Sequence, residues 1–164
     1  MPALTPGAIA PQFELKDTSG KTVSLGEVLK NGPVVVAFFK VACPTCQLTF
    51  PFLQRMFESY GTPNLAFLGV SQNSPAETRA FMERFGTRFP VLIEERGYAT
   101  SNAYGLTNVP TIFWINPDRK IHLSSVGFSK NDLERIFSEA SAAAGEQPSP
   151  LFRPGEKVPD FKPG

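Results

Sequence analysis

Cys43 and Cys46 are the residues of this chain best suited to do chemistry, and they are its two cysteines. They stand in Cys43-Pro44-Thr45-Cys46, so on a helix the second lies one turn from the first and can close a disulfide with it. This spacing serves either redox exchange or soft-metal binding. A closed structural zinc site takes four Cys or His ligands. With two Cys and one His, the chain cannot complete one within a protomer. Metal transfer through the pair, or simple burial of two small side chains, are the readings that compete with a working dithiol.

The elements that must position the pair favour the dithiol. Val34 to Phe39 (VVVAFF) reads as a buried central strand. After the cysteines, Leu53, Met56, Phe57 and Tyr60 recur at three and four residues, the period of a helix. The cysteines therefore fall at a strand-to-helix junction, in the first helical turn. Backbone N–H groups and the positive end of the helix dipole stabilise a sulfur anion there, on Cys43 first. Pro51 lies inside the same helix, where it removes an i→i−4 bond and bends the axis.

A length of 164 residues allows one domain with extensions. Hydrophobic residues at 41% and charged residues at 19% fit a globular protein, and fifteen Phe imply an aromatic-rich core. The net charge of +1 and the lack of a basic cluster leave no footing for nucleic acid or an anionic membrane as partner. Residues 1–13 lack the basic and continuous apolar regions of a secretory signal, so a cytoplasmic location is the expectation. There a paired thiol is catalytic more often than a permanent staple.

In chain order, residues 1–13 form an extended lead-in, and two short strands flank the turn at Asp17-Thr18-Ser19-Gly20. One helical turn at Glu27 to Lys30 precedes the central strand. Leu65 to Val70 is a second buried strand. Ser74-Pro75-Ala76-Glu77 has the cap, proline and glutamate of a helix start, and that helix stops at Gly86. Phe89 to Ile93 is a short strand, the stretch 94–97 is polar, and a short helix fits Tyr98 to Tyr104. Thr111 to Ile115 and Ile121 to Val126 pair across the turn at Asn116-Pro117-Asp118-Arg119, and Ser129 with Asp132 caps a final helix. Crossover helices imply parallel strands and the short turn an antiparallel pair. The sum is an α/β fold with a mixed sheet and helices on both faces. Residues 1–144 make the domain, and 145–164 a Pro/Gly-rich tail or strap. Within that tail Pro154-Gly155 through Pro159 and Phe161 repeats the spacing of Pro6-Gly7 through Pro11 and Phe13.

From Pro11 to Ala140 the chain resembles the thioredoxin superfamily, within it the TlpA/ResA-like thiol–disulfide oxidoreductases and the AhpC/TSA-type redoxins. The resemblance rests on Pro11-x-Phe13, Gly20-Lys21, VVVAFFKVACPTC, Pro51, and YGLTNVPTIFWINPDRKI from Tyr104 to Ile121. It implies a thioredoxin-like fold with a cis Val109-Pro110 peptide facing the cysteines. It implies a redox-active Cys43–Cys46 disulfide in place of any cofactor or metal. Cys43 is then the attacking sulfur and Cys46 the resolving one, with Pro110, Val109, Pro44 and Thr45 positioning substrate and Lys40 as electrostatic support. The partners implied are a disulfide-bearing protein or small thiol, and a thiol reductant or reductase that recharges the pair.

The departures from the family are specific. Ala37 stands where thioredoxin has a buried Asp, Thr49 where many ResA-like chains have Glu, and Ala42 where thioredoxin has Trp. Peroxiredoxin-like peroxidases carry Pro seven and Thr three residues before their cysteine, and those positions here are Val36 and Lys40. Sco-like copper proteins space their cysteines one residue wider and add a late-loop histidine, whereas His122 falls on a predicted edge strand. A non-catalytic redoxin module that binds a partner is the remaining alternative.

Overall fold

Strand β3 (Val34–Phe39) is buried at all six positions, because it has a strand on each side and packed layers on both faces. The computed structural model describes residues 2–94 and 96–164; Met1, in the lead-in, and Glu95, in the polar stretch 94–97, lie outside the described residues. The chain runs β1 (Glu14–Asp17), β2 (Thr22–Ser24), α1 (Leu25–Leu29), β3, α2 (Pro44–Tyr60), β4 (Ala66–Ser71), α3 (Pro75–Phe85), β5 (Val91–Ile93) and α4 (Ala99–Ala103). It continues β6 (Thr111–Ile115), β7 (Ile121–Val126), β8 (Phe128–Ser129), α5 (Lys130–Ala143) and β9 (Phe161–Lys162).

The main sheet has the order β2-β1-β5-β4-β3-β6-β7. Strands β3, β4 and β5 are parallel, joined by the crossovers through α2 and α3, while β6 runs antiparallel to β3 and β7 antiparallel to β6. This is the mixed, thioredoxin-like sheet with helices on both faces. The antiparallel pairing of β6 with β3 and of β1 with β5 was not readable from loop lengths, because both connections are long.

Alternation along β3 divides the core in two. Val35, Ala37 and Phe39 face α2, α3 and α5, and Val34, Val36 and Phe38 face α1, the N-terminal segment and Tyr104. The same rule puts Trp114 and Phe113 on opposite faces of β6. The first core is aromatic near the cysteines: the Phe39 ring lies 4.2 Å from Phe50 and 4.8 Å from Phe81, and Phe50 lies 5.8 Å from Phe89. Helix α3 begins with the capping box of Ser74 and Glu77 and ends at Gly86 in the left-handed region (φ 70°). Ser129 caps α5 by accepting from the Asp132 N–H.

Residues 145–164 pack back onto this domain. Leu151 and Phe152 are buried in the first core, where Phe152 lies 4.8 Å from Phe52. Strand β9 pairs antiparallel with β8, matching Phe128 to Lys162 and Ser129 to Phe161. The two Pro-Gly segments share one local structure: Gly7 (φ 94°) and Gly155 (φ 80°) each follow a proline in a turn closed by a 3.1 Å bond, Ala8 to Thr5 and Glu156 to Arg153. Beyond the turn they part. Phe13 is 4% exposed in the second core, whereas its counterpart Phe161 is 59% exposed.

Candidate active site

The last residues of β3 lead into a turn that is held from several sides. The Lys40 carbonyl accepts from the Cys43 N–H at 3.3 Å. The Val41 N–H donates to Asn73 Oδ1 at 3.0 Å, and the Val41 carbonyl accepts from Gln47 Nε2 at 2.9 Å. This turn delivers Cys43 to the N-cap of α2 with extended backbone angles, followed by Pro44, whose missing N–H costs nothing in a first turn. As a cap, Cys43 Sγ accepts from the Cys46 N–H at 3.2 Å. A negative charge on that sulfur meets a backbone dipole aimed at it.

Across from the cap, the Val109-Pro110 peptide is cis, as the resemblance implied. The Cys43 thiol donates to the Val109 carbonyl at 3.5 Å. The loop that carries this carbonyl is fixed by the Thr111 hydroxyl, which donates to the Asn108 carbonyl at 2.7 Å, and by the Gly127 N–H, which donates to the Pro110 carbonyl at 2.8 Å.

The two sulfurs differ in environment. Cys43 is half-buried and Cys46 fully buried, and both are thiols. Burial pushes the Cys46 thiol far above the ordinary range, and its hydrogen bond with Cys43 adds to the shift, partly offset by the Lys40 backbone. Neither Ala37 nor Thr49 offers it a base. Ala37 is apolar, and the Thr49 hydroxyl donates to the Thr45 carbonyl at 2.7 Å instead of facing the sulfur.

Each predicted site residue falls around this pair or near it. Pro44 and Lys40 are exposed, and Lys40 favours the Cys46 thiolate through its backbone first and its charge second. Thr45 is buried and its hydroxyl donates to the Pro163 carbonyl at 2.7 Å. Val109 and Pro110 form the facing wall, but residue 164 lies against Val109, so closely that a side chain on Gly164 would run into the Val109 carbonyl. His122 lies on edge strand β7, exposed and 3.1 Å from Glu139, away from the sulfurs. Asn73, Gln47, Asn108 and Gly127 were missed. Gly127 alone carried a signal, as a glycine between the predicted strand Ile121–Val126 and the Ser129 cap; its φ of 77° admits the Lys162 backbone. Among the described residues no group of three His, Cys, Asp or Glu could hold a metal, and no helix is long and apolar enough to cross a membrane.

A comparison with protein-family models matches residues 6–124 to the AhpC/TSA family. The chain belongs to the AhpC/TSA family. It is 30% identical over 134 residues to the thiol-disulfide oxidoreductase ResA of Halalkalibacterium halodurans, an alignment covering 81% of this chain and 75% of that one. It is 29% identical over 120 residues to ResA of Bacillus subtilis, covering 73% of this chain and 66% of the other. Among solved structures it is similar to the thioredoxin domain of a thiol-disulfide oxidoreductase from Bacteroides vulgatus, with a TM-score of 0.74 and 21% identity over 84% of this chain and 98% of that one. The thioredoxin fold, the cysteine pair at the head of α2 and these relatives make this AhpC/TSA member a thiol–disulfide oxidoreductase.

Proposed function

We propose that Cys43 attacks a substrate disulfide and Cys46 resolves the product, so that the pair exchanges its dithiol with protein or small-molecule disulfides. In the first step the Cys43 thiolate bonds to one substrate sulfur, the substrate S–S bond breaks, and the other sulfur leaves as a thiolate. In the second step Cys46 loses its proton and bonds to Cys43. The mixed disulfide breaks and the remaining substrate sulfur leaves reduced. The two electrons that reduce the substrate come from the two cysteine thiols, and an external dithiol or reductase restores them.

One observation carries the reading: the half-buried Cys43 sulfur accepts an N–H at the start of α2, while Cys46 behind it is buried and held protonated. The test is alkylation of the reduced protein with iodoacetamide at pH 7, followed by peptide mapping. Cys43 is expected to react first, by about tenfold or more, the thiolate being the reactive form. Modification of Cys46 ahead of Cys43 contradicts the assignment.

A further inference from the structure

The tail does more than cover the domain: residues 163 and 164 lie against Thr45, in the first turn of α2, and against Val109, whose carbonyl accepts from the Cys43 thiol. The root of the tail is strongly fixed. Leu151 and Phe152 are buried against Phe52 and Phe128, and the Leu151 N–H donates to Glu134 Oε2 at 3.3 Å. Arg55, on α2, donates to both carboxylate oxygens of Glu156 at 2.9 and 2.8 Å and to the Leu151 carbonyl at 2.9 Å. The pair is only 23% and 24% exposed, and a fork of this kind adds orientation as well as attraction. From there the Asp160 carbonyl accepts from the Lys130 N–H at 2.9 Å, and β9 pairs with β8.

The tip is held differently. Pro163 offers its carbonyl to the Thr45 hydroxyl at 2.7 Å, and Gly164 lies on the Val109 backbone, with its carbonyl 3.5 Å from Asn108 Nδ2. These are polar contacts to the first turn of α2 and to the loop whose carbonyl accepts from the Cys43 thiol. Among the described residues no apolar anchor holds 161–164: Phe161 is 59% exposed, and β9 is two residues long. Residues 161–164 are thus held more lightly than 151–156 and open at lower cost.

We propose that residues 161–164 are a resident competitor for the substrate's seat, tethered through residues 151–156, so that a disulfide-bearing chain must displace this strap tip to reach Cys43. This rests on the dithiol reading given above. The tip is extended backbone that adds a strand to β8 and offers a carbonyl to Thr45, the way an incoming polypeptide would be held. The tether keeps the tip at high local concentration, so a weak contact suffices to occupy the seat. The occupant also states the class of substrate it selects against. A small disulfide reaches the half-buried Cys43 sulfur past the tip, whereas an extended peptide needs the tip's own place along Thr45, Val109 and β8.

The test uses the full chain carrying Cys46→Ser, which holds the mixed disulfide at Cys43, with and without Gly164→Ala, which collides with the Val109 carbonyl and releases the tip alone. The probes are a disulfide-linked peptide pair of about eight residues per strand and a small aromatic disulfide. Release of the tip is expected to raise the rate with the peptide about 5–10-fold, by restoring the open fraction, and the rate with the small disulfide less than about 2-fold. Amide hydrogen exchange in the peptide adduct without the glycine change is expected to show residues 161–162 losing the protection that their pairing with β8 gives them. A peptide adduct in which 161–162 stay protected, with equal peptide rates in both variants, overturns the strap. Failure of both disulfides to react with Cys43 in both variants overturns the exchange reading itself, and the strap with it.

Discussion

The Thr45 hydroxyl donates to the Pro163 carbonyl at 2.7 Å, joining residues 118 positions apart and placing the tail between the first turn of α2 and the Val109 loop. Thr45 is the second residue of α2, one position from each of Pro44 and Cys46. Whatever engages its hydroxyl therefore sits on the helical turn that carries both cysteines. In this structure that group belongs to the chain itself.

The resolving step is expected to be the pH-sensitive one. Burial holds the Cys46 thiol protonated well above the ordinary range, and neither Ala37 nor Thr49 supplies a carboxylate to take its proton. The rate at which a peptide adduct on Cys43 is resolved should then rise about tenfold per pH unit between roughly pH 6 and 9, following the Cys46 thiolate fraction. Quench-flow with acid trapping and mass detection reads this directly. A rate flat across that range means that Cys46 has a base. Ala37→Asp, which sets a carboxyl into the core that Cys46 shares, should speed resolution at pH 7 and cost about 1–3 kcal/mol of stability for the buried polar group.

The root of the strap should survive mild acid. The Arg55 guanidinium, with the Arg153 N–H, holds the Glu156 carboxyl down to about 2 from an ordinary 4.5. A depressed carboxylate contributes attachment that is fully present above about pH 4.5 and is lost as pH falls through about 2. Hydrogen exchange or NMR of residues 151–156 should show them protected at pH 4 and released near pH 2. Release already complete at pH 4 would show that the Arg55–Glu156 pair is not what fixes this segment.

The aromatic floor beneath the cysteines should dominate stability. Phe39 is fully buried, ends β3 one residue before the cysteine turn, and touches Phe50 and Phe81. Phe39→Ala should cost about 3–5 kcal/mol in urea unfolding, the range for emptying a large core site. A loss under about 1 kcal/mol would mean that the neighbouring rings collapse into the space.

Most of the site's frame was legible in the sequence, for identifiable reasons. The run Val34–Phe39 has no polar residue, so it had to be central, and Cys43 then fell at a helix start that Pro44 permits. The capping box of Ser74 and Glu77 and the stop at Gly86 were readable because caps are local. What escaped was decided by contacts far apart in sequence. Asn73 supports the cysteine turn through one side-chain oxygen across 32 residues, with no pattern to announce it. The change of composition at residue 145 was readable, but the seat of the segment beyond it was not. β9 has two residues, no period, and a place fixed by the opening at Gly127 and the backbone of Val109. The repeat of Pro6-Gly7 in Pro154-Gly155 marked a shared turn and gave no sign that Phe161 would stay outside the core while Phe13 entered it.

The most direct test of the central claim is the equilibrium of the reduced chain against a graded glutathione redox buffer, trapped with acid and read by mass. The account predicts one cooperative transition in which Cys43 and Cys46 each lose a hydrogen and join, abolished by Cys43→Ser and by Cys46→Ser. A chain that stays a dithiol across the whole series, or that stops at glutathione bound to Cys43 with Cys46 intact, contradicts it.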